Sequence, residues 1–166
     1  MRNSQPINIE KLLSHVPLFE GLDTEEIARI AQHTREIQAA KGDVLFHAGD
    51  PCAGCHLVVY GQIKLAFTSS TGNEKIVEII QQGQSFGEAV MLMEKPYIVF
   101  AQALSDSLLL HISKTAIFEE LERDHRVARK MLAGMAKRLH QLMTDVEGYS
   151  LHSGTERIIA YLLREI

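Results

Sequence analysis

Apolar and polar residues alternate through the middle of the chain, from about residue 37 to residue 112. The apolar positions recur at every second residue in short runs, which is typical of half-buried strands. Turn signals rich in glycine, asparagine and aspartate separate the runs at short intervals. This spacing predicts a small antiparallel barrel or jelly roll. The clearest runs are Val44 with Phe46, Leu57 with Val59, Ile63 with Leu65 and Phe67, and Leu108 with Leu110 and Ile112.

Helical patterns lie on both sides of this region. Asp23 with Glu26 can form a capping box, and Ser113 can cap a short helix after the last strand. From Asp124 to about Tyr149, apolar residues recur at alternating steps of four and three, which is the pattern of a two-helix seam. We therefore expect a mainly β fold with flanking helices, ending in a long coiled-coil helix. The seam positions are Ala128, Leu132, Met135, Leu139, Leu142, Val146 and Tyr149.

This seam predicts a parallel homodimer formed through residues 124–149. The alternative is that the same stripe packs on the chain's own barrel. Further apolar residues beside the seam favour the dimer, because they supply enough apolar surface for both a partner helix and the barrel. These residues are Met131, Ala136 and Met143.

Charge and motif content exclude several function classes. The net charge is −4, and nucleic-acid surfaces need clustered Lys and Arg, so we do not expect this segment itself to bind DNA. No apolar run is long enough to cross a bilayer, and the first residues lack the apolar core of a secretory signal. A cytoplasmic protein without membrane contact is expected. The sequence has no phosphate-binding glycine loop and no hydrolase or metalloprotease motif, so an enzyme is not expected.

The two cysteines form a short motif that resembles a haem-attachment or metal-binding site, but we expect no such role. Cys52 and Cys55, followed by His56, fit the pattern of covalent c-type haem attachment. That attachment occurs in exported proteins, and no export signal is present. Two thiolates are too few for a four-cysteine iron–sulfur cluster, and the spacing does not suggest a structural zinc site. Reduced thiols in a turn are the simpler interpretation.

Several motifs, in order along the chain, resemble the cyclic-nucleotide-binding barrel of Crp/Fnr transcription regulators. The resemblance implies a sensor domain over residues 1–122 and a dimerisation helix over residues 123–149. Residues 150–166 would form a hinge and the first helix of a DNA-binding domain that the chain does not complete, so the full-length protein would bind DNA. The motifs are Gly49-Asp50-Pro51, residues 57–65, residues 72–75, Phe86-Gly87-Glu88-Ala89, residues 136–139 and residues 157–163.

In this family, backbone N–H groups and one Arg hold a cyclic phosphate, and a Glu holds the ribose hydroxyl. The resemblance places Glu88 at the position of that Glu, but Tyr97 at the position of the Arg and Ile98 after it. Neither side chain supplies the bidentate positive fork that a buried phosphate needs. Leu142 and Met143 stand where members that bind cyclic AMP have hydroxyl residues. We therefore expect an apolar pocket between the barrel and the dimer helix.

Residues 88–93 and 138–141 resemble the Dnr-type branch, the nitric-oxide-responsive regulators of denitrification that are thought to bind haem. This resemblance implies haem b in the pocket and nitric oxide as the effector. Methionines on an apolar face are usually core residues, and a lone His is usually a surface residue, so each assignment has an ordinary alternative. The candidate cofactor-binding residues are His15, Glu88, Met91, Met93, Tyr97, His140, Leu142 and Met143, with His15 and His140 as candidate iron ligands.

Two other interpretations remain open at this point. One is a cyclic-nucleotide-binding domain with an altered phosphate cassette, in which Glu88 is retained for its original purpose. The other is a dimerisation domain that binds no ligand.

Overall fold

Eight strands and five α-helices make up the part of the chain that the computed structural model describes, which is residues 6–151, 159 and 161–164. The helices are α1 (Ile9–Leu13), α2 (Thr24–Ala31), α3 (Glu88–Leu92), α4 (Lys114–Arg123) and α5 (His125–Leu151), with a 3₁₀ turn at Pro17–Phe19. The strands are β1 (Thr34–Ala39), β2 (Val44–Phe46), β3 (Gly54–Tyr60), β4 (Ile63–Thr68), β5 (Glu74–Ile80), β6 (Ser85–Phe86), β7 (Phe100–Ala103) and β8 (Ser107–Ser113).

Two four-stranded antiparallel sheets form the barrel. The strand order is β1-β8-β3-β6 in one sheet and β2-β7-β4-β5 in the other. Neighbouring strands are mostly distant in sequence, as in a jelly roll. The prediction of a mainly β, jelly-roll-like fold with flanking helices is confirmed.

The two central strands of the first sheet differ from the half-buried strands that alternation predicts. In β3 the residues from Gly54 to Val58 are all buried, and in β8 the residues from Ser107 to Leu110 are all buried. One face of this sheet packs on the other sheet, while the helices cover its second face. The alternating pattern of a strand with one solvent-facing side therefore does not apply to these two strands.

Burial in β4 also departs from the predicted alternation. The register of β4 with β5 shifts between Leu65 and Ala66, and Ala66 is buried while Phe67 is 42% exposed. The extra residue at this shift is Val77 of β5, so the bulge lies in β5. The pairing of β4 with β7 is regular and ends at Ala66, so Phe67 lies beyond the part of β4 that has neighbours on both sides. The prediction that Phe67 continues the buried face begun by Ile63 is therefore wrong.

The predicted helix caps are confirmed. The Asp23 carboxylate accepts a hydrogen bond from the Glu26 backbone N–H at 2.8 Å, and Glu26 Oε1 accepts one from the Asp23 N–H at 3.1 Å. The Ser113 hydroxyl oxygen accepts a hydrogen bond from the Ala116 N–H at 3.3 Å. Such caps satisfy backbone donors that a helix leaves unpaired at its start.

The long helix α5 buries one side of its first half against the N-terminal segment. Val127 and Met131 are buried, and Gly134 lies against the Pro17 carbonyl with no room for a side chain. A second set of large apolar side chains, which we call the α5 stripe, is at least half exposed. The α5 stripe consists of Leu132, Leu139, Leu142, Met143 and Val146.

The C-terminal prediction falls mainly outside the described residues. Of the proposed hinge and first DNA-binding helix, residues 150–166, only residues 150, 151, 159 and 161–164 are described, all in helical conformation. Within the described parts of the chain, no helix is both long and apolar enough to span a bilayer.

Candidate functional site

A short turn places the one buried carboxylate of the cassette. Strand β6 ends at Phe86, and Gly87 then adopts the left-handed conformation, with φ of 90°, before α3 begins at Glu88. A side chain would strain this backbone, so glycine suits the position. As a result the Glu88 side chain is buried, at 5% exposure.

Glu88 faces a cation from α5. The Arg138 guanidinium Nη1 lies 3.7 Å from Glu88 Oε1, which is an ion-pair distance but too long for a hydrogen bond. Oε1 has no hydrogen-bond partner among the described residues. A buried acceptor without a donor is costly, so a ligand that offers a hydroxyl or amide hydrogen would be favoured at this position.

A cleft lies between the barrel, the N-terminal segment and α5, and we call it the α5 cleft. Its volume is about 390 Å³. Most of the residues that line it are polar or charged, and they come from α5, from the barrel and from the N-terminal segment. The basic groups are His15, Lys137 and Arg138, the acidic groups are Glu20, Glu78 and Asp145, and the apolar side chains are Pro17 and Leu142.

Two of the charged side chains in the lining that come from α5 are partly neutralised by ion pairs. Lys137 Nζ lies 2.7 Å from Glu20 Oε1, and Arg164 Nη1 lies 3.2 Å from Asp145 Oδ1. Arg138 is the more enclosed of the two α5 cations, with 35% of its side chain exposed against 68% for Lys137. Arg138 is therefore the stronger electrostatic partner for a ligand, since burial reduces solvent screening.

Tyr97 belongs to the barrel core and does not line the α5 cleft. Its ring stacks on Phe46 with centroids 3.5 Å apart and an angle of 5° between the ring planes. Its hydroxyl donates to the Gly54 carbonyl at 3.4 Å, and burial raises the pKa of Tyr97. The side chain at the position of the family's phosphate-binding Arg is thus a neutral core phenol.

The remaining predicted site residues lie in several environments. Two of them, His15 and Leu142, line the α5 cleft, and Glu88 lies beside it. Met91 is fully buried in the core, whereas Met93 and Met143 are 57% and 62% exposed. His140 is exposed and is not in the lining. The structure does not bring His15 and His140 together in this cleft.

The polarity of the cleft differs from the apolar pocket that the sequence predicts. Lys137 and Arg138 were part of the family resemblance but were not identified as site residues. Arg138 lies four residues before Leu142, so the two share one face of α5. This spacing is the sequence signal that could have identified Arg138 as a residue of the cleft. Which face points to the barrel depends on how α5 is rotated about its axis, and sequence spacing alone does not specify this rotation.

Both cysteines are free and buried, which corrects the expected exposed turn. Cys52 Sγ donates to the Gly54 carbonyl at 3.2 Å. Burial raises the pKa of Cys55 well above its ordinary value, so its thiol stays protonated. Within the described residues, no group of three or more His, Cys, Asp or Glu side chains is arranged to hold a metal ion.

Comparison with known proteins places these features in a family. Residues 36–124 match the family model of the cyclic nucleotide-binding domain. A cyclic AMP receptor protein from Thermus thermophilus is 27% identical over 148 residues, which cover 89% of this chain and 68% of the relative. A CRP-like cAMP-activated global transcriptional regulator from Mycobacterium tuberculosis is 19% identical, over 84% of this chain and 66% of the relative. The chain thus spans about two thirds of the length of these regulators.

Solved structures agree with this assignment. The crystal structure of DNR from Pseudomonas aeruginosa is 31% identical with a TM-score of 0.78, covering 93% of this chain and 69% of that one. The sensor domain of the transcriptional regulator DNR is 29% identical with a TM-score of 0.71, covering 81% of this chain and 91% of that one. The chain belongs to the cyclic nucleotide-binding domain family, in the form found in the sensor domains of Crp/Fnr-type transcription regulators.

Proposed function

We propose that this chain is the effector-sensing and dimerising portion of a cytoplasmic, DNA-binding transcription regulator. One observation carries the proposal: α5 forms a wall of the α5 cleft and also exposes the apolar α5 stripe. A ligand in the cleft and a partner helix on the stripe would therefore contact the same rigid element. The DNA-binding surface would belong to the full-length protein and not to this segment.

The homodimer is proposed from the α5 stripe. Leu132, Leu139 and Leu142 are 70%, 61% and 54% exposed, and Val146 is 63% exposed. Their spacing of seven, three and four residues is that of a coiled-coil seam. Contiguous apolar surface of this kind marks an interaction site, and a second copy of α5 supplies a matching stripe.

The mechanism requires only that the effector binds two arrangements of α5 unequally. An effector in the α5 cleft would contact Arg138 and Leu142 on the helix and Gln84 and Ser85 on the barrel. If one packing of the paired helices brings these groups closer together, the effector favours that packing. DNA-binding domains attached beyond the helices would then fit or miss adjacent half-sites.

For the effector, we propose nitric oxide carried by haem b. The support is the loss of the phosphate-binding Arg, whose position Tyr97 fills as a core residue, together with the likeness to the DNR structures. Bound haem would supply an iron atom that takes up nitric oxide. This chain's residues would hold the group and transmit its presence to α5.

The donor set of the α5 cleft fits the polar parts of haem. His15 is an exposed imidazole in the lining and would bind the iron, and Arg138 would pair with a propionate, whereas Lys137 already pairs with Glu20. Leu142 and the adjacent exposed Met143 offer apolar contacts for the ring. The acidic side chains Glu20 and Asp145 are already paired with cations, which limits their repulsion of the propionates.

A cyclic nucleotide is the second candidate effector, and the Glu88–Arg138 pair favours it. The unpartnered Oε1 of Glu88 could accept a ribose hydroxyl, and Arg138 could supply the cation that the cassette itself lacks. In that case Arg138, and not residue 97, would hold the phosphate.

Two titrations on one set of variants distinguish these effectors. Haem is added to the purified chain and followed by its Soret band, then exposed to nitric oxide. Cyclic AMP and cyclic GMP are titrated by calorimetry. The variants are His15→Ala, His140→Ala and Arg138→Gln, with His33→Ala as the matched surface control.

We expect a shifted Soret band that His15→Ala abolishes and His33→Ala preserves, with no heat from either nucleotide. If a cyclic nucleotide binds at micromolar concentration and Arg138→Gln abolishes this binding, the effector is the nucleotide and not nitric oxide on haem. A dimer that gives neither signal would refute effector sensing and leave a dimerisation domain without a ligand.

A further inference from the structure

A second cleft opens on the far side of the barrel, and we call it the inner cleft. It lies between the two sheets, where their edge strands β1 and β2 come together, and its volume is about 590 Å³. No residue that lines it also lines the α5 cleft, and no residue of α5 is part of it. The inner cleft is therefore a separate feature of the barrel.

Three residues of the lining, one arginine and two histidines, form a row across the first sheet that continues to a phenylalanine outside the lining. The strand registers place Arg35 opposite His111, His111 opposite His56, and His56 opposite Phe86. Directly opposed residues on adjacent strands point to the same face and lie within contact distance. The row therefore crosses the first sheet from its edge at β1 to β6.

His56 is the unusual member of this row. Its side chain lines the inner cleft although the residue is only 5% exposed. Its ring stacks on Phe86 at 5.0 Å and meets the edge of the His111 ring at 5.1 Å. Its Nδ1 is buried and has no hydrogen-bond partner among the described residues. Buried imidazole nitrogens normally have partners, so this one indicates an unfilled position.

Arg35 provides the fixed positive charge at the cleft. Arg35 is exposed, and within the described part of the chain it forms no ion pair. The two carboxylates of the lining accept backbone hydrogen bonds, Asp43 from the Ala40 N–H and Asp50 from the His47 N–H, each at 2.9 Å, and neither is paired with Arg35. A guanidinium without a partner is suited to bidentate binding of a carboxylate.

Aromatic surface adjoins this charge. Phe46 and Tyr97 form a stacked pair in the wall opposite His56, and the Phe46 and His56 ring centroids are 6.0 Å apart. Aromatic pairs prefer edge-to-face or offset contacts, so the ring of a ligand in this cleft would find favourable partners in these side chains. The cleft volume lies within the usual range for small-ligand sites, which is roughly 300–1,000 Å³.

We propose that the inner cleft is a second ligand site of this domain, which binds a small aromatic carboxylate with its carboxylate on Arg35 and its ring against Phe46 and His56. The site is independent of the effector proposed for the α5 cleft. A ligand there would bridge the edge strands of the two sheets.

The test uses benzoate as the probe and the whole chain labelled with ¹⁵N. Benzoate is titrated while backbone amide shifts are followed by NMR, alongside cyclohexanecarboxylate and benzamide as comparators. The variants are Arg35→Gln, His56→Phe, and Arg138→Gln at the α5 cleft. Arg129→Gln is the matched control, since Arg129 is also an exposed arginine without an ion pair among the described residues.

We expect saturable shifts confined to β1, β2, β3 and β8, with weaker binding of both comparators. Arg35→Gln should weaken benzoate binding about tenfold or more, because it removes a charge-assisted pair. Arg129→Gln and Arg138→Gln should leave it unchanged, and these two variants also separate this site from the α5 cleft. His56→Phe keeps an aromatic ring against Phe86, so we expect this variant to fold. A changed affinity for benzoate in the folded variant would place the ligand beside residue 56.

Three results would overturn the proposal. The first is the absence of saturable shifts at about 10 mM benzoate, which is ten times the concentration that half-saturates a site with a millimolar Kd. The second is binding that Arg35→Gln leaves intact. The third is shifts that map to α5 and disappear in Arg138→Gln, which would assign benzoate to the α5 cleft instead.

Discussion

Replacing Gly134 by alanine tests the contact on which the geometry of the α5 cleft depends. Gly134 lies on α5 opposite the 3₁₀ turn, and an added Cβ would overlap the Pro17 carbonyl oxygen. The same Cβ would lie 3.2 Å from the Pro17 carbonyl carbon and 3.6 Å from Leu18 Cα. All three atoms are backbone, so no side-chain rotation can relieve the overlap. The helix or the turn must move.

Two opposing effects determine the stability change. Alanine is a better helix former than glycine by about 1 kcal/mol in a helix interior. Overpacking against well-packed structure costs about 1–3 kcal/mol, and rigid backbone neighbours place this case towards the upper end. We therefore expect a net loss of about 1–2 kcal/mol. For a domain of this size, this corresponds to a fall in Tm of roughly 2–8 °C.

Thermal unfolding followed by circular dichroism at a fixed protein concentration measures this change. The control is Ala133→Gly at the neighbouring exposed position of α5, which reports the helix-propensity effect without a steric one. Both Gly134 and Pro17 line the α5 cleft, so Gly134→Ala should also weaken effector binding. A rise in Tm of roughly 2–4 °C, the propensity effect alone, would refute the close approach of α5 to Pro17.

Three further predictions follow from burial and exposure. Met91 is fully buried, so Met91→Ala should lower the free energy of unfolding by about 2–5 kcal/mol in urea titrations, while Met91→Leu should cost less than about 1.5 kcal/mol and preserve haem binding. Burial lowers the pKa of His56 from 6.5 to about 3, so the unfolded chain binds an extra proton between these values and stability falls as the pH drops below 6.5. His56→Phe, which keeps the contact with Phe86, should remove about 2 kcal/mol of the loss between pH 7 and pH 5, and an unchanged difference would contradict the neutral buried imidazole. Leu139→Lys on the α5 stripe should shift the chain to monomer in analytical ultracentrifugation, whereas Thr144→Lys off the stripe should not.

Local signals in the sequence predicted the elements and their ends well. The Asp23–Glu26 capping box and the Ser113 cap involve residues three positions apart, so their geometry depends only on the chain nearby. These features form wherever the residues occur, whatever packs around them.

Features that depend on long-range packing were predicted less well. The double burial of β3 and β8 follows from their central place in a sheet covered by helices, which no short pattern records. Met91 was considered a pocket residue, but the five-residue helix α3 turns it into the core. The polarity of the α5 cleft has the same origin, because Arg138 enters it only through the rotation of α5 against the barrel.

The contacts of α5 change in kind along its length, and this change indicates where an effector can act. Lys130 is paired with Glu26 at 2.8 Å, and Gly134 is pressed against the 3₁₀ turn, so the first half of the helix is held by the N-terminal segment. Arg138, further along α5, lies 3.7 Å from Glu88 of the barrel. From residue 139 to residue 144 every residue is exposed.

Under the proposed function, Arg138 would separate a fixed part of the helix, held by the N-terminal segment, from the exposed part that follows it. A ligand that closes on Arg138 extends the fixed part, and a ligand that displaces it from Glu88 shortens it. Either change would alter the direction from which residues 139–146 meet the partner helix of the proposed dimer, because a rigid helix transmits a rotation at one point to the residues beyond it. Coupling of this kind needs one two-state contact and a rigid arm, and it does not need a chain of rearrangements through the barrel.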